Sequence, residues 1–490
     1  MSLSRRGLLA GALGAAGALG LAGCGLRVDP GMTGQPVSSL LPLPKRFTVP
    51  LPVPQVLRPV RRDSTTDYYE IEQRAARVEL LPGVRTEVLG YQGTFPGPTL
   101  VTRSGRRAVV RHRNALSGST VVHLHGGHTP AASDGYPTDE VRPGGSRAYE
   151  YPMRQRAAML WYHDHTMGAT SSQIYRGLFG LHIVTDDEDD ALPLPRGDRD
   201  VPLVITDRAF AEDGAFRYPS LPGHHGHGVA GSHVEGVLGD VILVNGAPWP
   251  VLEVEAARYR LRVLNACGAR RLELALDPPG QLTQIGSDGG LLAAPVRHDQ
   301  VLMAPAERFD LVVDFSAYPV GSRVTLRNRR GSGGTDAVMR FVVARKARDH
   351  SRVPARLSAI EPLDTTAARV RHWRFTRGAV DGQPGWVVNG EPFLADRMHA
   401  TVPLGEVEIW RFHSDLHHPV HVHLDPFQVT GRGGHEPGPY DAGWKDTVDL
   451  RPAEHVDVAI RFTDYAGRYL VHCHNLEHED AMMMAAFRTR

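Results

Sequence analysis

The sequence predicts an all-β protein built from three Greek-key β-sandwich domains. Gly (52) and Pro (37) are plentiful in its 490 residues, which favours many short strands and turns over long helices. At roughly 150 residues per domain, that length suggests about three domains. A short motif also recurs. "FPGPTL" precedes "RRAVVRHRNAL", "VNGAPWP" precedes "RYRLRVLNA", and "VNGEPF" precedes "GEVEIWRFHSD". The motif prolines Pro96, Pro248 and Pro392 lie 152 and 144 residues apart, the size of a domain and not of a solenoid repeat.

In chain order, residues 1–24 read as an export signal outside the fold. Arg5 and Arg6 precede a mild Gly/Ala/Leu stretch, as in a twin-arginine signal. Leu21-Ala22-Gly23-Cys24 resembles a lipoprotein box, with Cys24 as the lipidated residue. A transmembrane anchor fits less well, because residues 7–23 are few and rich in Gly. Residues 25–60 are a Pro-rich tether, expected to lie extended over a surface. Domain 1 is expected over 61–187, domain 2 over 198–345 and domain 3 over 366–490. The acidic stretch from Asp186 to Asp200 and the charged stretch from Arg345 to Arg369 serve as linkers. Within the domains, Tyr259, Leu261 and Val263 alternate with Arg258, Arg260 and Arg262. Val456, Val458, Ile460 and Phe462 alternate with polar or small residues. Both are the period-2 pattern of half-buried strands.

A formal net charge of +1 and the lack of a long Lys/Arg run exclude nucleic acid as a partner. Of the three cysteines, Cys267 and Cys473 remain if Cys24 carries lipid. They could pair as a disulfide, but Cys473 could then bind no metal. Cys267 reads as a small buried hydrophobe.

The 25 histidines are unevenly placed. "HLH" (His123, His125) and "HDH" (His163, His165) lie in domain 1. "HPVHVH" (His418, His421, His423) and "HCH" with a later His (His472, His474, His478) lie in domain 3. Residues i and i+2 of a strand share a face, so each H-x-H presents two imidazoles side by side. Four such pairs from two domains can converge on an interdomain cleft and hold a multinuclear metal site. Cys473 must then point away from His472 and His474, so one strand serves two metal centres. A His₂Cys set with a weak axial Met is the blue-copper pattern, and His418, Cys473 and His478 supply it, with a Met shortly after. Zinc would accept the imidazoles but has no redox use for the Cys bridge. The segment holding His224, His225, His227 and His233 is Gly-rich and reads as a flexible surface loop, with an auxiliary metal site as its alternative.

"VHLHGG", "LWYHDH", "GDVILVNGAPWP", "HPVHVHL" and "HCHNLEHEDAMMMAAF" together resemble the multicopper oxidases, within them the bilirubin oxidase and spore-coat laccase group. The resemblance covers nearly the whole chain after the signal. It implies three cupredoxin domains and four copper ions. Type 1 copper would be held by His418, Cys473, His478 and Met483, the family's axial ligand lying ten residues after the Cys. Type 2 copper would take His123 and His421. One type 3 ion would take His125, His163 and His474, and the other His165, His423 and His472. Asp134 and Glu479 match acids that the family places near the trinuclear cluster; a turn residue and a helix-start charge are their structural alternatives. The chain stops seven residues after Met483, without the C-terminal extension of fungal bilirubin oxidases, so a more open substrate pocket is expected.

The expected activity is a laccase-like oxidation of organic donors coupled to reduction of O₂ to water. The alternatives are a metallo-oxidase acting on Cu(I) or Mn(II) and a non-catalytic cupredoxin-fold envelope protein. The expected partners are a small reducing substrate and O₂. The protein is expected to be a monomer, exported and tethered through Cys24 to the outer face of the cytoplasmic membrane.

Overall fold

The structure, a computed structural model, describes residues 33–220, 229, 231–380 and 382–490. The export signal with Cys24, and His224, His225 and His227, lie outside the described residues. Among the described residues strands dominate, and apart from one two-stranded sheet they form three successive pairs of sheets. The first pair joins a four-stranded sheet (Gly97–Arg103, Phe179–Thr185, Ala158–Asp164, Val122–His125) to a five-stranded one between Arg61 and Tyr151. The second pair has seven and five strands between Asp200 and Lys346. The third has two five-stranded sheets between Arg369 and Thr489. Parallel neighbours such as Arg369–Val380 with Val407–Ser414 show chain crossing between sheets, as a Greek key requires. The fold is thus all-β and cupredoxin-like. Among the described residues no helix is long and apolar enough to cross a membrane.

Side-chain alternation builds the third sandwich core. Trp373, Phe375, Trp410, Phe412, Val456, Val458 and Ile460 from one sheet meet Val420, Val422, Val448, Val471 and Phe487 from the other. The arginine strand Arg258–Asn265 departs from the half-buried expectation, because Arg260 and Arg262 are buried as well. It is a central strand of the seven-stranded sheet, and its polar face is covered by acids. Arg260 bonds Asp310 through Nε at 2.9 Å and reaches Asp189 at 2.8 Å, while Arg262 bonds Asp200 at 2.7 Å. Asp189 comes from the acidic linker, where Asp186 caps the short helix Asp187–Ala191 by accepting from the Asp189 N–H.

The Pro-rich segment from residue 33 lies along the sandwiches. Gln35–Val37 pairs in parallel with Val237–Gly239, and the backbone N–H groups of Leu51 and Leu57 donate to Val251 and Thr99.

Candidate metal centres

The site grows from two neighbouring strands of the third sandwich. His418–Val422 and Gly467–Cys473 are antiparallel, with Val420 opposite Cys473 and His421 opposite His472. Opposed residues share a face. Val420 and Cys473 therefore face the sandwich core, and so does His418, two residues from Val420. His421 and His472 face the other way. Cys473 does point away from His472, as its spacing requires.

On the core side, Sγ of Cys473 lies 3.6 Å from Nδ1 of His418 and 3.5 Å from Nδ1 of His478, and the two Nδ1 atoms are 3.1 Å apart. The centre of that triangle is about 2.0 Å from each donor, a metal–ligand distance. His478 is brought there by the short helix Leu476–Asp480, which Asn475 caps by accepting from the Glu477 N–H. Each imidazole is oriented from behind. His418 Nε2–H donates to Asp415 at 2.9 Å, and His478 Nε2–H to the Glu235 carbonyl at 3.2 Å. Trp386 stacks on His478 at 3.9 Å between centroids and meets His418 edge-on. Met483 shares the core cluster of Cys473, whereas Met482 and Met484 belong to another cluster with Tyr136 and Phe393. Burial pushes the Cys473 thiol far up, so only a bound cation would keep it a thiolate.

On the opposite face, His421, His423, His472 and His474 meet His123, His125, His163 and His165. In the first sandwich, Val122–His125 pairs antiparallel with Ala158–Asp164, placing His123 opposite His163. All eight rings are buried. His123 and His421 approach Nε2 to Nε2 at 3.4 Å. His472 Nε2 lies 3.1 Å from His423 Nε2 and 3.5 Å from His165 Nε2. His163 Nε2 lies 3.4 Å from His125 Nδ1, and the His474 ring stands 5.3 and 5.0 Å from those two rings. Five of the Nδ1 atoms are anchored. His123, His163, His421 and His472 donate through Nδ1 to backbone carbonyls, and His423 to the Asp134 carboxylate at 2.7 Å. Desolvation holds His165 down at about 4 and His472 at about 3, and pushes His123, His125, His163, His423 and His474 well below the usual histidine range. Those seven rings are thus held in the neutral form, the form that binds metal.

Both ring nitrogens of His474 are buried with no hydrogen-bond partner, and so are both oxygens of Glu479. Buried polar atoms are rarely left unpaired, so such a group signals something missing. Inward-turned neutral nitrogens, an orphaned His474 and a buried thiol in a 2 Å triangle fit resident metal ions. Glu479 lies 3.4 Å from Nδ1 of His165 and 3.3 Å from Nδ1 of His472. The eight cluster histidines are thus brought together at one centre and His418, Cys473 and His478 at an adjoining one, with Met483 in the core cluster that holds Cys473.

Several neighbours of these centres escaped the sequence reading. Asp446 accepts from His125 Nε2–H at 3.1 Å, and Asp415 and Trp386 flank the triangle. Asp415 stands three residues before His418, a weak signal; Trp386 and Asp446 gave none. The described end of the His-rich segment is not a loose loop. Its short helix Gly231–Glu235 is pinned, the Val234 carbonyl accepting from Trp386 Nε1 and the Glu235 carbonyl from Asn475. Cys267 is buried and, like Cys473, free of a disulfide.

Two family profiles, both described as multicopper oxidase, match residues 72–189 and 356–490. A laccase of Bacillus subtilis (strain 168) is 37% identical over 506 residues, spanning 90% of this chain and 98% of that protein. A bilirubin oxidase of Albifimbria verrucaria is 38% identical over 489 residues, spanning 92% and 82%. The crystal structure of a multi-copper oxidase from Pediococcus acidilactici superposes with a TM-score of 0.83 at 31% identity, covering 93% of each chain.

Proposed function

The chain belongs to the multicopper oxidases, and from that premise we propose that it couples one-electron oxidations of small organic donors to the reduction of O₂ to water. The donors are phenols, aromatic amines or bilirubin-like tetrapyrroles. One observation carries the reading: Cys473 belongs to the triangle, and its chain neighbours His472 and His474 belong to the eight-histidine cluster. A few covalent bonds therefore join an electron-accepting centre to an O₂-reducing one. Copper bound at the two centres supplies the one-electron chemistry and the reduction of O₂.

The residues do the rest. His418, Cys473, His478 and Met483 would hold a type 1 ion. His123 and His421 would hold a type 2 ion, and two type 3 ions would take His125, His163 and His474, and His165, His423 and His472. Donors deliver electrons at the outer edge of His418 and His478, beside the half-buried Asp415. Burial of every ligand excludes bulk water from both centres. Four electrons and four protons turn one O₂ into two waters, and metal-bound imidazoles cannot supply the protons. Glu479 lies beside His165 and His472, and Asp134 accepts from His423; these contacts support them as the acids that pass protons to the cluster.

Copper analysis with a visible spectrum tests this. The pure protein should be intensely blue, and Cys473→Ser should lose both colour and oxidase activity. A colourless, fully active wild type would overturn it. The donor class is read from kcat/KM for a substituted phenol, bilirubin, Cu(I) and Mn(II) under one set of conditions. A metal ion better by more than about tenfold, roughly 1.4 kcal/mol of transition-state stabilisation, would replace organic donors. The Arg5-Arg6 pair and the Leu21–Cys24 box support a mature protein that is exported and tethered by Cys24 to the outer face of the cytoplasmic membrane, as a monomer. Arg5→Lys with Arg6→Lys should then strand the precursor in the cytoplasm, and Cys24→Ala should free the exported protein from the membrane.

A further inference from the structure

The middle sandwich carries no histidine of either centre, yet it reaches the cluster through one buried arginine. Arg308 opens the strand Arg308–Asp314 of the second sandwich and is 1% exposed. Its five N–H donors are all engaged. Nε–H donates to the Met159 carbonyl at 3.0 Å, on the strand of the first sandwich that carries His163. Nη1 donates to the Ala306 carbonyl at 3.0 Å and to Asp446 Oδ1 at 2.7 Å. Nη2 donates to the Asp288 carbonyl at 3.2 Å and to Asp446 Oδ2. The guanidinium is therefore held in one orientation and grips Asp446 with both forks.

Asp446 in turn accepts from His125 Nε2–H at 3.1 Å, with Thr447 Oγ1 also 3.1 Å from that nitrogen. His123, His163, His421, His423 and His472 are held by Nδ1 and turn Nε2 inward; His125 is held by Nε2 and presents Nδ1, 3.4 Å from His163 Nε2. Tautomer and ring orientation are set by the partner of the outer nitrogen. Gly126, next in the chain, has φ +80°, and a Cβ there would stand 2.6 Å from Asp446 Oδ2 and 2.8 Å from Arg308 Nη2. A side chain after His125 would push into the ion pair, so the "HLHGG" motif contains the space that the pair occupies.

We propose that Arg308 is a positioning residue for the histidine cluster: it holds Asp446 in the one place where that carboxylate fixes His125 with Nδ1 facing the cluster. This rests on the multicopper reading of the cluster. It gives the ligand-free middle sandwich a role in the chemistry, since its arginine sets a ligand of the first sandwich through an acid of the third.

The test measures copper retention, not turnover. Wild type, Arg308→Lys and Asp446→Asn are loaded with Cu(II) and challenged with a chelator of known affinity. Metal analysis reports total copper, the blue absorption reports the Cys473 centre, and electron paramagnetic resonance reports the cluster. Lysine cannot reproduce the two-pronged grip, and asparagine can offer His125 an N–H where it needs an acceptor. Cluster copper should be held roughly 10–100-fold more weakly in both variants, the blue centre unchanged. Arg260→Lys breaks an equally buried ion pair of the same sandwich, away from Asp446, and serves as the control. It should lower the melting temperature of the copper-free protein and leave cluster affinity intact. If Asp446→Asn melts like the control and keeps wild-type cluster affinity, the positioning role is wrong. If both centres weaken equally, Arg308 only supports the fold and the proposal also fails. A wild type that takes up no copper overturns the oxidase reading itself, a result distinct from either.

Discussion

Removing Trp386 should both loosen the protein and wet the Cys473 centre. Its indole is 1% exposed, stacks on His478 with ring planes 29° apart, and donates Nε1–H to the Val234 carbonyl at 2.7 Å. Arg377, paired with Glu235, lies over its outer side at 5.3 Å. A buried Trp removes roughly 150–250 Å² from water, worth about 4–6 kcal/mol at about 25 cal/mol/Å². Large-to-Ala changes in cores cost about 3–5 kcal/mol. Trp386→Ala should therefore cost about 4 kcal/mol, plus about 1 kcal/mol of lost stacking. At roughly 2 °C per kcal/mol for a chain of this size, the melting temperature should fall by about 10 °C. Trp386→Phe keeps a stacked ring and loses the hydrogen bond, about 1 kcal/mol and so about 2 °C. The Ala variant also opens His478 and His418 to water, which favours the more highly charged oxidised copper and lowers the type 1 reduction potential. Calorimetry of the copper-free protein and a redox titration of the blue band read the two effects separately. If the Ala variant melts within about 2 °C of wild type and its potential is unchanged, Trp386 neither supports nor shields that centre.

Glu479→Gln should keep the blue colour and full copper content but slow turnover, because the amide preserves shape and cannot release a proton; unchanged turnover would make Glu479 structural only. His112 is buried among Tyr91 and Tyr149, and desolvation depresses its pKa from 6.5 to about 3. Below pH 6.5 the unfolded chain binds a proton that the folded chain excludes, so stability falls with falling pH, by up to about 1.4 kcal/mol per unit, until about pH 3. His112→Phe should flatten that slope in denaturant titrations between pH 6.5 and pH 4, and an identical slope would show that His112 is protonated in the folded protein.

The local chain determined much of this protein. Period-2 spacing alone put Cys473 on one face and His472 on the other, because alternate residues of a strand cannot share a side. The Gly/Pro-rich composition and the repeated proline motif determined an all-β architecture. The resemblance singled out Met483 among three adjacent methionines; Met483 packs in the core cluster that also holds Cys473, and Met482 and Met484 pack in another. What the sequence could not determine depends on contacts between distant segments. Arg260 and Arg262 looked like the wet face of a strand, and only the arrival of Asp310, Asp189 and Asp200 makes that face dry. Asp446 and Arg308 lie 138 positions apart in the chain, and neither has a spacing that marks a site. Trp386 covers His478 because the hairpin of Arg369–Val380 and Gln383–Val388 folds back beside the helix Leu476–Asp480. The candidate ligands were marked by short-range periodicity, which backbone geometry dictates residue by residue, and their assignment to individual ions by the family resemblance. The groups that orient and shield those ligands were chosen by which surfaces pack together, and that is settled only when the three sandwiches close on one another.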